Sequence, residues 1–350
     1  PARPGGTAVS GTRIAVVGAG LIGRRHLALV REHPGCTLVS VVDPDPTARD
    51  GHGAPGYPDV PTMLADTAPD GVIVASPNAR HTEHVLSCVR AGVPVLVEKP
   101  VADTVAGAER AVSAAEDAGV PLLVGHHRRH SPLMAAARET LRRGTLGDVV
   151  AVQGSALFRK PDDYFADAAW RREPGGGPIL INLIHDVDNL RALCGEIVEV
   201  QASTSNAARG FAVEDTAAVT MRFASGALGS VLLSDTAAAA RSWEHTSGEN
   251  PDYPHHPDED CYVVAGTRGS LGVPTLRLRV YTGEPSWWAP FHTSVLDVAA
   301  RDPLAAQLDH FVAVVRGETT PLVDGREGLR TLRTTLALTE AARTGHPVTP

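Results

Sequence analysis

The chain has 350 residues, 43% of them hydrophobic and only 4% aromatic, and a formal net charge of −8. That length accommodates two domains with largely aliphatic cores, and an acidic balance without a basic block argues against nucleic acid or an anionic membrane as partner. No apolar run reaches transmembrane length, the Pro/Gly-rich start Pro1–Gly11 reads as a loose arm rather than a signal peptide, and the scattered Cys36, Cys88, Cys194 and Cys261 lack metal or redox spacing, which points to reduced thiols in a cytoplasm.

A buried strand, Ile14–Val17, runs into Gly18-x-Gly20-x-x-Gly23, with Leu21 and Ile22 inside the motif, and a helix is predicted from Ile22 to Glu32. Gly18 permits a tight turn, Gly20 lets a pyrophosphate approach the backbone, and Gly23 lets the helix pack on the strand. The helix N-terminus offers unpaired N–H groups to the phosphates. A second strand, Cys36–Val42, ends in Asp43, twenty residues after Gly23. A carboxylate there takes both ribose hydroxyls and repels a 2′-phosphate, so NAD is expected rather than NADP.

Residues 44–61 read as a polar loop, followed by a short helix around 62–66. Strands are predicted at 71–76, 93–97 and 121–124, and helices at 80–91 and 103–118. This alternation predicts a doubly wound parallel sheet whose strand ends share one ligand-binding edge. Gly18, Asp43, Ser76–Pro77–Asn78, Glu98–Lys99 and His126–Arg128 fall on it.

The pattern changes after residue 130. Ser131 and Pro132 open a helix to Arg143; a strand at 148–157, an irregular stretch Phe158–Gly177 and a helix at 179–193 follow. Strands are predicted at 197–203, 215–224, 227–234, 261–265 and 270–281, with a hairpin at Ser225–Gly226, a polar loop at 241–260 and closing helices at 304–316 and 328–344. The fold class is therefore α/β: a Rossmann domain over 11–126, then an α+β domain over 127–350 with an open, mostly antiparallel sheet.

Glu98–Lys99–Pro100 reads either as a surface ion pair before a turn or as a desolvated lysine able to accept a substrate proton. His185 lies on a helix between core and cavity, as a structural histidine or a catalytic one, with Asn182 one turn earlier. Arg128 reads as part of a solvated basic turn or as a substrate ligand. The His-rich stretch His245–Asp260 lacks metal spacing, so no metal is expected and a substrate lid is favoured. Trp287–Trp288 suits a sugar platform or an interface. Lys99, Arg128, Asn182, His185 and Trp170 form the candidate substrate set.

Taken in order, Gly18–Gly23 with Arg25–His26, Ser76–Pro77–Asn78 with His81, Glu98–Lys99–Pro100, and Gly175–Gly177 leading to His185 and Asp188 resemble the Gfo/Idh/MocA oxidoreductases over nearly the whole chain. The resemblance implies a sugar, polyol or related cyclic substrate, with Lys99 and His185 as the catalytic pair. It places Ser76, Pro77, Asn78, His81 and Glu98 around the cofactor, and implies a homodimer or homotetramer through the second sheet. One position departs: the family's aspartate four residues before the histidine is Ile181, so a Lys–Asp–His relay does not carry over whole. Asp186, Asp188 or Lys99 alone remain as substitutes. The alternatives are glycoside cleavage by transient oxidation and a cofactor-sensing regulator; the latter is disfavoured because Lys99 is present.

Overall fold

The computed structural model describes residues 11–350, so the expectation of a loose arm before Gly11 lies outside the described residues. The chain divides into two compact units: residues up to Gly125 with Leu304–Leu329, and His126–Pro303 with Arg330–Pro350.

The first unit runs β1 (Thr12–Val17), α1 (Leu21–Glu32), β2 (Cys36–Val42), α2 (Pro46–Arg49), β3 (Gly56–Tyr57), α3 (Val60–Thr67), β4 (Gly71–Val74), α4 (Asn78–Arg90), β5 (Val95–Glu98), α5 (Val105–Ala118) and β6 (Leu122–Gly125). The six strands are parallel in the order β3-β2-β1-β4-β5-β6, the doubly wound topology predicted from the alternation. All four residues of β4, β5 and β6 are buried, as strands covered on both faces must be. Residues 44–61 are more ordered than a polar loop. Asp45 caps α2, and Val41 N–H and Asp43 N–H donate to Pro55 O (3.0 Å) and Tyr57 O (3.1 Å), which ties β3 to the sheet edge. A two-residue edge strand needs backbone partners and no apolar run, so periodicity does not reveal it.

The second unit runs α6 (Pro132–Arg142), β7 (Val149–Arg159), α7 (Asp162–Ala166), a 3₁₀ turn at Ala169–Arg172, a π-helical turn at Ile179–Leu183, α8 (Ile184–Cys194), β8 (Ile197–Ser205), β9 (Thr216–Phe223), β10 (Leu228–Ser234), β11 (Thr236–Arg241), α9 (Trp243–Thr246), β12 (Tyr262–Gly266), β13 (Gly269–Val273), β14 (Arg277–Tyr281) and β15 (Phe291–Val295). Ser131 caps α6 by accepting from Leu133 N–H (3.1 Å) and Met134 N–H (3.3 Å). The nine-stranded sheet is mixed: β7 and β10 are parallel and the other pairs antiparallel. One face carries the core, including Val152, Val219, Met221, Val231, Val264 and Leu271, against α8 residues Val187 and Leu190. The opposite face leaves Leu228 and Leu232 about half exposed, at 53% and 46%.

Three expectations change. The stretch 158–177 contains α7 and a 3₁₀ turn, the strand expected at 270–281 is two strands broken at Pro274, and β11 and β15 were not foreseen. The boundary also shifts. Helix α10 (Pro303–Val315) is expected in the second domain, yet Leu308, Phe311 and Val312 pack with Ile14, Ile73, Leu96 and Leu123 of the first sheet. An apolar helical stripe records that it covers a core, not which core. Helix α11 (Gly325–Thr344) closes the chain.

Candidate active site

In the first unit the glycine turn is sterically fixed where the motif demands it. Gly18 has φ +91°, and a Cβ there would lie 2.6 Å from Ala75 O; at Gly23 it would lie 1.9 Å from Gly18 O. At Gly20 an added Cβ meets no atom within 4 Å, which leaves the backbone open to a pyrophosphate. Beside it Leu21 is 74% exposed, an apolar side chain placed to be covered by a flat ligand. Asp43 is braced against this turn: Oδ2 accepts from Ala19 N–H (2.9 Å) and Oδ1 from Asp45 N–H (3.0 Å). These residues fit a dinucleotide.

Two expected cofactor ligands have another task. Glu98 is buried; its Oε1 accepts from His26 Nε2 (2.8 Å) and its Oε2 from Lys99 N–H (3.2 Å), so the carboxylate braces the strand end that carries Lys99. His81 is buried with Nδ1 2.8 Å from Pro100 O and Nε2 2.8 Å from Ser76 O. Burial works to lower its pKa while the two carbonyls work to raise it, and the ring links the residues that follow β4 and β5. Ser76 Oγ is hydrogen-bonded to His84 Nδ1 (2.9 Å), while Pro77 and Asn78 open α4. His26 was present in the motif, but its partner lies seventy-two residues away.

In the second unit His185 is buried on α8, with the His127 ring edge-on at 5.0 Å between centroids and His126 at 6.2 Å. Arg128 fits neither expectation for it. It is buried, with Nη1 3.2 Å from Asp186 Oδ1 and Nη2 2.6 Å from Glu244 Oε1, and it lies over the Trp243 ring. Both arms of its fork are held by protein carboxylates, which removes it from the substrate set. Burial works to lower the Arg128 pKa, but Glu244 and Asp186 outweigh it and raise it. Asp186 also accepts from Tyr262 O–H, and burial pushes its carboxyl up to about 6 against the pull of Arg128. Asp188 lies 3.3 Å from Arg129 Nη1 and accepts from Thr331 Oγ1 (3.1 Å). Both carboxylates are thus engaged by buried arginines and hydroxyls.

Asn182 sits in the π-helical turn, three residues before His185, and its Oδ1 accepts from Lys160 Nζ (2.7 Å). Trp170 is exposed in the 3₁₀ turn, and Trp287 and Trp288 stand in solvent as an edge-to-face pair. The stretch expected to be a substrate lid is buried near its start: Glu249 accepts from Trp243 Nε1 (3.0 Å) and from Ser131 O–H. Sequence reasoning missed Lys160 and Tyr262, and took in His127 and Glu249 only as members of longer stretches. A signal existed only for Lys160: of 32 basic residues, it and Lys99 are the only two lysines.

Burial pushes the Glu249 carboxyl up to about 7 against its hydrogen bonds from Ser131 and Trp243. Between the unfolded value and about 7 the folded protein binds a proton that the unfolded chain has released, so this group's contribution to stability declines as pH rises through that window. Glu249→Gln removes the titration. The variant should gain on the wild type by on the order of 3 kcal/mol between pH 5 and pH 8. Thermal melts at the two pH values check this; parallel shifts at both would contradict it.

Among the described residues no cluster of three His, Cys, Asp or Glu could hold a metal ion, and no helix is long and apolar enough to cross a membrane. Residues 12–126 match the profile of an oxidoreductase family with an NAD-binding Rossmann fold. Residues 134–272 match the GFO/IDH/MocA C-terminal domain. A 1,5-anhydro-D-fructose reductase from Ensifer adhaerens is 31% identical over 82% of this chain and 81% of its own length. The scyllo-inositol 2-dehydrogenase (NAD(+)) of Bacillus subtilis is 29% identical over 96% of this chain and 95% of its own. Among solved structures, the WlbA dehydrogenase from Chromobacterium violaceum, in complex with NADH and UDP-GlcNAcA, is 28% identical with a TM-score of 0.78, covering 97% of this chain and 96% of that one.

Proposed function

The chain belongs to the GFO/IDH/MocA oxidoreductase family, and from that premise we propose that it is an NAD-dependent dehydrogenase of a sugar, polyol or related cyclic alcohol. The observation that carries this reading is one sheet edge that combines a glycine turn open at Gly20, the braced Asp43 and Lys99 at the end of β5. Gly18, Gly20, Leu21, Ile22 and Gly23 take the pyrophosphate side of the cofactor, Asp43 takes the ribose hydroxyls, and Ser76, Pro77 and Asn78 border the nicotinamide end. NAD, when bound, supplies the hydride acceptor for an alcohol or, reduced, the donor for a ketone. Lys99 accepts the hydroxyl proton in the oxidative direction and returns it in the other. His185 and Asn182 orient the substrate hydroxyls, and Trp170 offers a ring face. The relatives support the substrate class, one being named for an anhydrosugar and another for an inositol.

The half-exposed Leu228 and Leu232 on the open face of the nine-stranded sheet support a homodimer or homotetramer formed through it. The four unpaired thiols support a reducing compartment, the cytoplasm.

A spectrophotometric screen of sugars, inositols, sugar acids and cyclic diols with both nicotinamide cofactors tests the reading. Reduced cofactor should form with one substrate class, at least about tenfold faster with NAD than with NADP, because Asp43 repels a 2′-phosphate. Asp43→Ala should narrow that gap. Sugar released from a glycoside without net cofactor reduction would replace the dehydrogenase with a glycoside-cleaving enzyme.

A further inference from the structure

Lys160 is one of two lysines in a chain that otherwise uses arginine for its basic side chains. It follows the end of β7 and is rigidly mounted there. Its N–H donates to Asp235 O (2.9 Å), its carbonyl accepts from Arg209 Nη2 (2.9 Å), and its ammonium lies 4.8 Å from the centre of the Tyr164 ring. Asp235 Oδ2 is 3.9 Å from Nζ, while its Oδ1 accepts from Arg209 Nε (3.0 Å). The ammonium donates to Asn182 Oδ1 at 2.7 Å.

An ammonium has donors and no acceptor, so it can face only the oxygen of an amide. That fixes which way Asn182 points: Oδ1 towards Lys160 and Nδ2, the donor end, the other way. A guanidinium is a wide planar fork, whereas this contact takes a compact point charge. We propose that Lys160 is a positioning residue that locks the Asn182 amide as a donor, so that Asn182 selects substrates presenting an acceptor oxygen beside the group His185 orients. The inference rests on the assignment of Asn182 and His185 to the substrate site. It adds the polarity of recognition: a keto, ether or hydroxyl oxygen accepting from Nδ2, rather than a hydroxyl donating to Oδ1.

Kinetics of the full-length protein with the best alcohol from the screen, and with its deoxy derivatives, test this in Lys160→Met, Lys160→Gln, Asn182→Leu and the Met/Leu double variant. Lys160→Met should raise KM about tenfold with kcat little changed, the mark of lost ground-state binding. Lys160→Gln should restore most of it, because its amide N–H still donates to Oδ1. The double variant should be no worse than Asn182→Leu, and the deoxy derivative lacking the recognised oxygen should not distinguish Lys160→Met from wild type. An unchanged KM, additive losses, or failure of Gln where the protein remains folded would overturn the proposal. The side-chain amide NMR signals of Asn182, identified by their loss in Asn182→Leu, give a readout without turnover. They should shift in Lys160→Met and return towards the wild-type position in Lys160→Gln; unmoved signals overturn the lock even if the screen finds no alcohol substrate. Moved signals with an empty screen would leave the lock standing and remove the dehydrogenase.

Discussion

Lys99→Met is expected to lower kcat/KM by about three to four orders of magnitude, the upper range for loss of a positioned proton acceptor. NADH binding, followed by fluorescence, should stay within about twofold, because the side chain is replaced by one of similar length and the glycine turn and Asp43 are untouched. Lys99→Arg should be nearly as inactive. A guanidinium keeps its proton at any working pH and cannot accept one, however well it retains the charge. The pair of variants separates the two roles a lysine has here. If charge alone mattered, as attraction for a substrate, Arg would restore activity. The hydrogen bonds of Glu98 to His26 and to the Lys99 backbone N–H are predicted to outlast either change. Turnover within about tenfold of wild type in either variant would remove Lys99 from the chemistry.

What the sequence disclosed follows from how local each signal is. The turn at Gly18, Gly20 and Gly23 is legible because steric demands at single positions leave glycine no substitute. The order of the first sheet is legible because buried parallel strands read as unbroken apolar runs, and right-handed crossovers leave few ways to connect them. By contrast β3 exists through backbone hydrogen bonds, which carry no side-chain signature. Asn182 could be named from its spacing to His185, but its orientation comes from Lys160, twenty-two residues earlier and just past the end of β7. Glu98 ends β5 and His81 lies in the first turn of α4, and both side chains turn to protein partners, since a motif records position along the chain and not the direction of a side chain. The glutamate turns inward to His26, and the histidine is held between two carbonyls.

Arg128 shows the same limit, and it yields the largest expected effect on stability. Nothing near His126–His130 hints at burial, because the partners of Arg128 lie fifty-eight and one hundred and sixteen residues further on. Arg128→Met should destabilise the protein by about 3–5 kcal/mol, because it leaves Asp186 and Glu244 facing one another without a cation. For a unit of this size that corresponds to a fall in melting temperature of about 10 °C. The loss should shrink at acid pH. Asp186, already raised to about 6 by burial, loses the opposing pull of Arg128, rises further and takes up a proton that neutralises it. Melts at pH 5 and pH 8 should therefore differ more in the variant than in the wild type. Adding Asp186→Leu and Glu244→Met to Arg128→Met should recover much of the stability, since the cost lies in the uncompensated carboxylates and not in the missing arginine. If the triple variant is instead no more stable than Arg128→Met, the guanidinium packed over Trp243 contributes mainly through its contacts, and the account of the network as a charge-balanced unit is wrong.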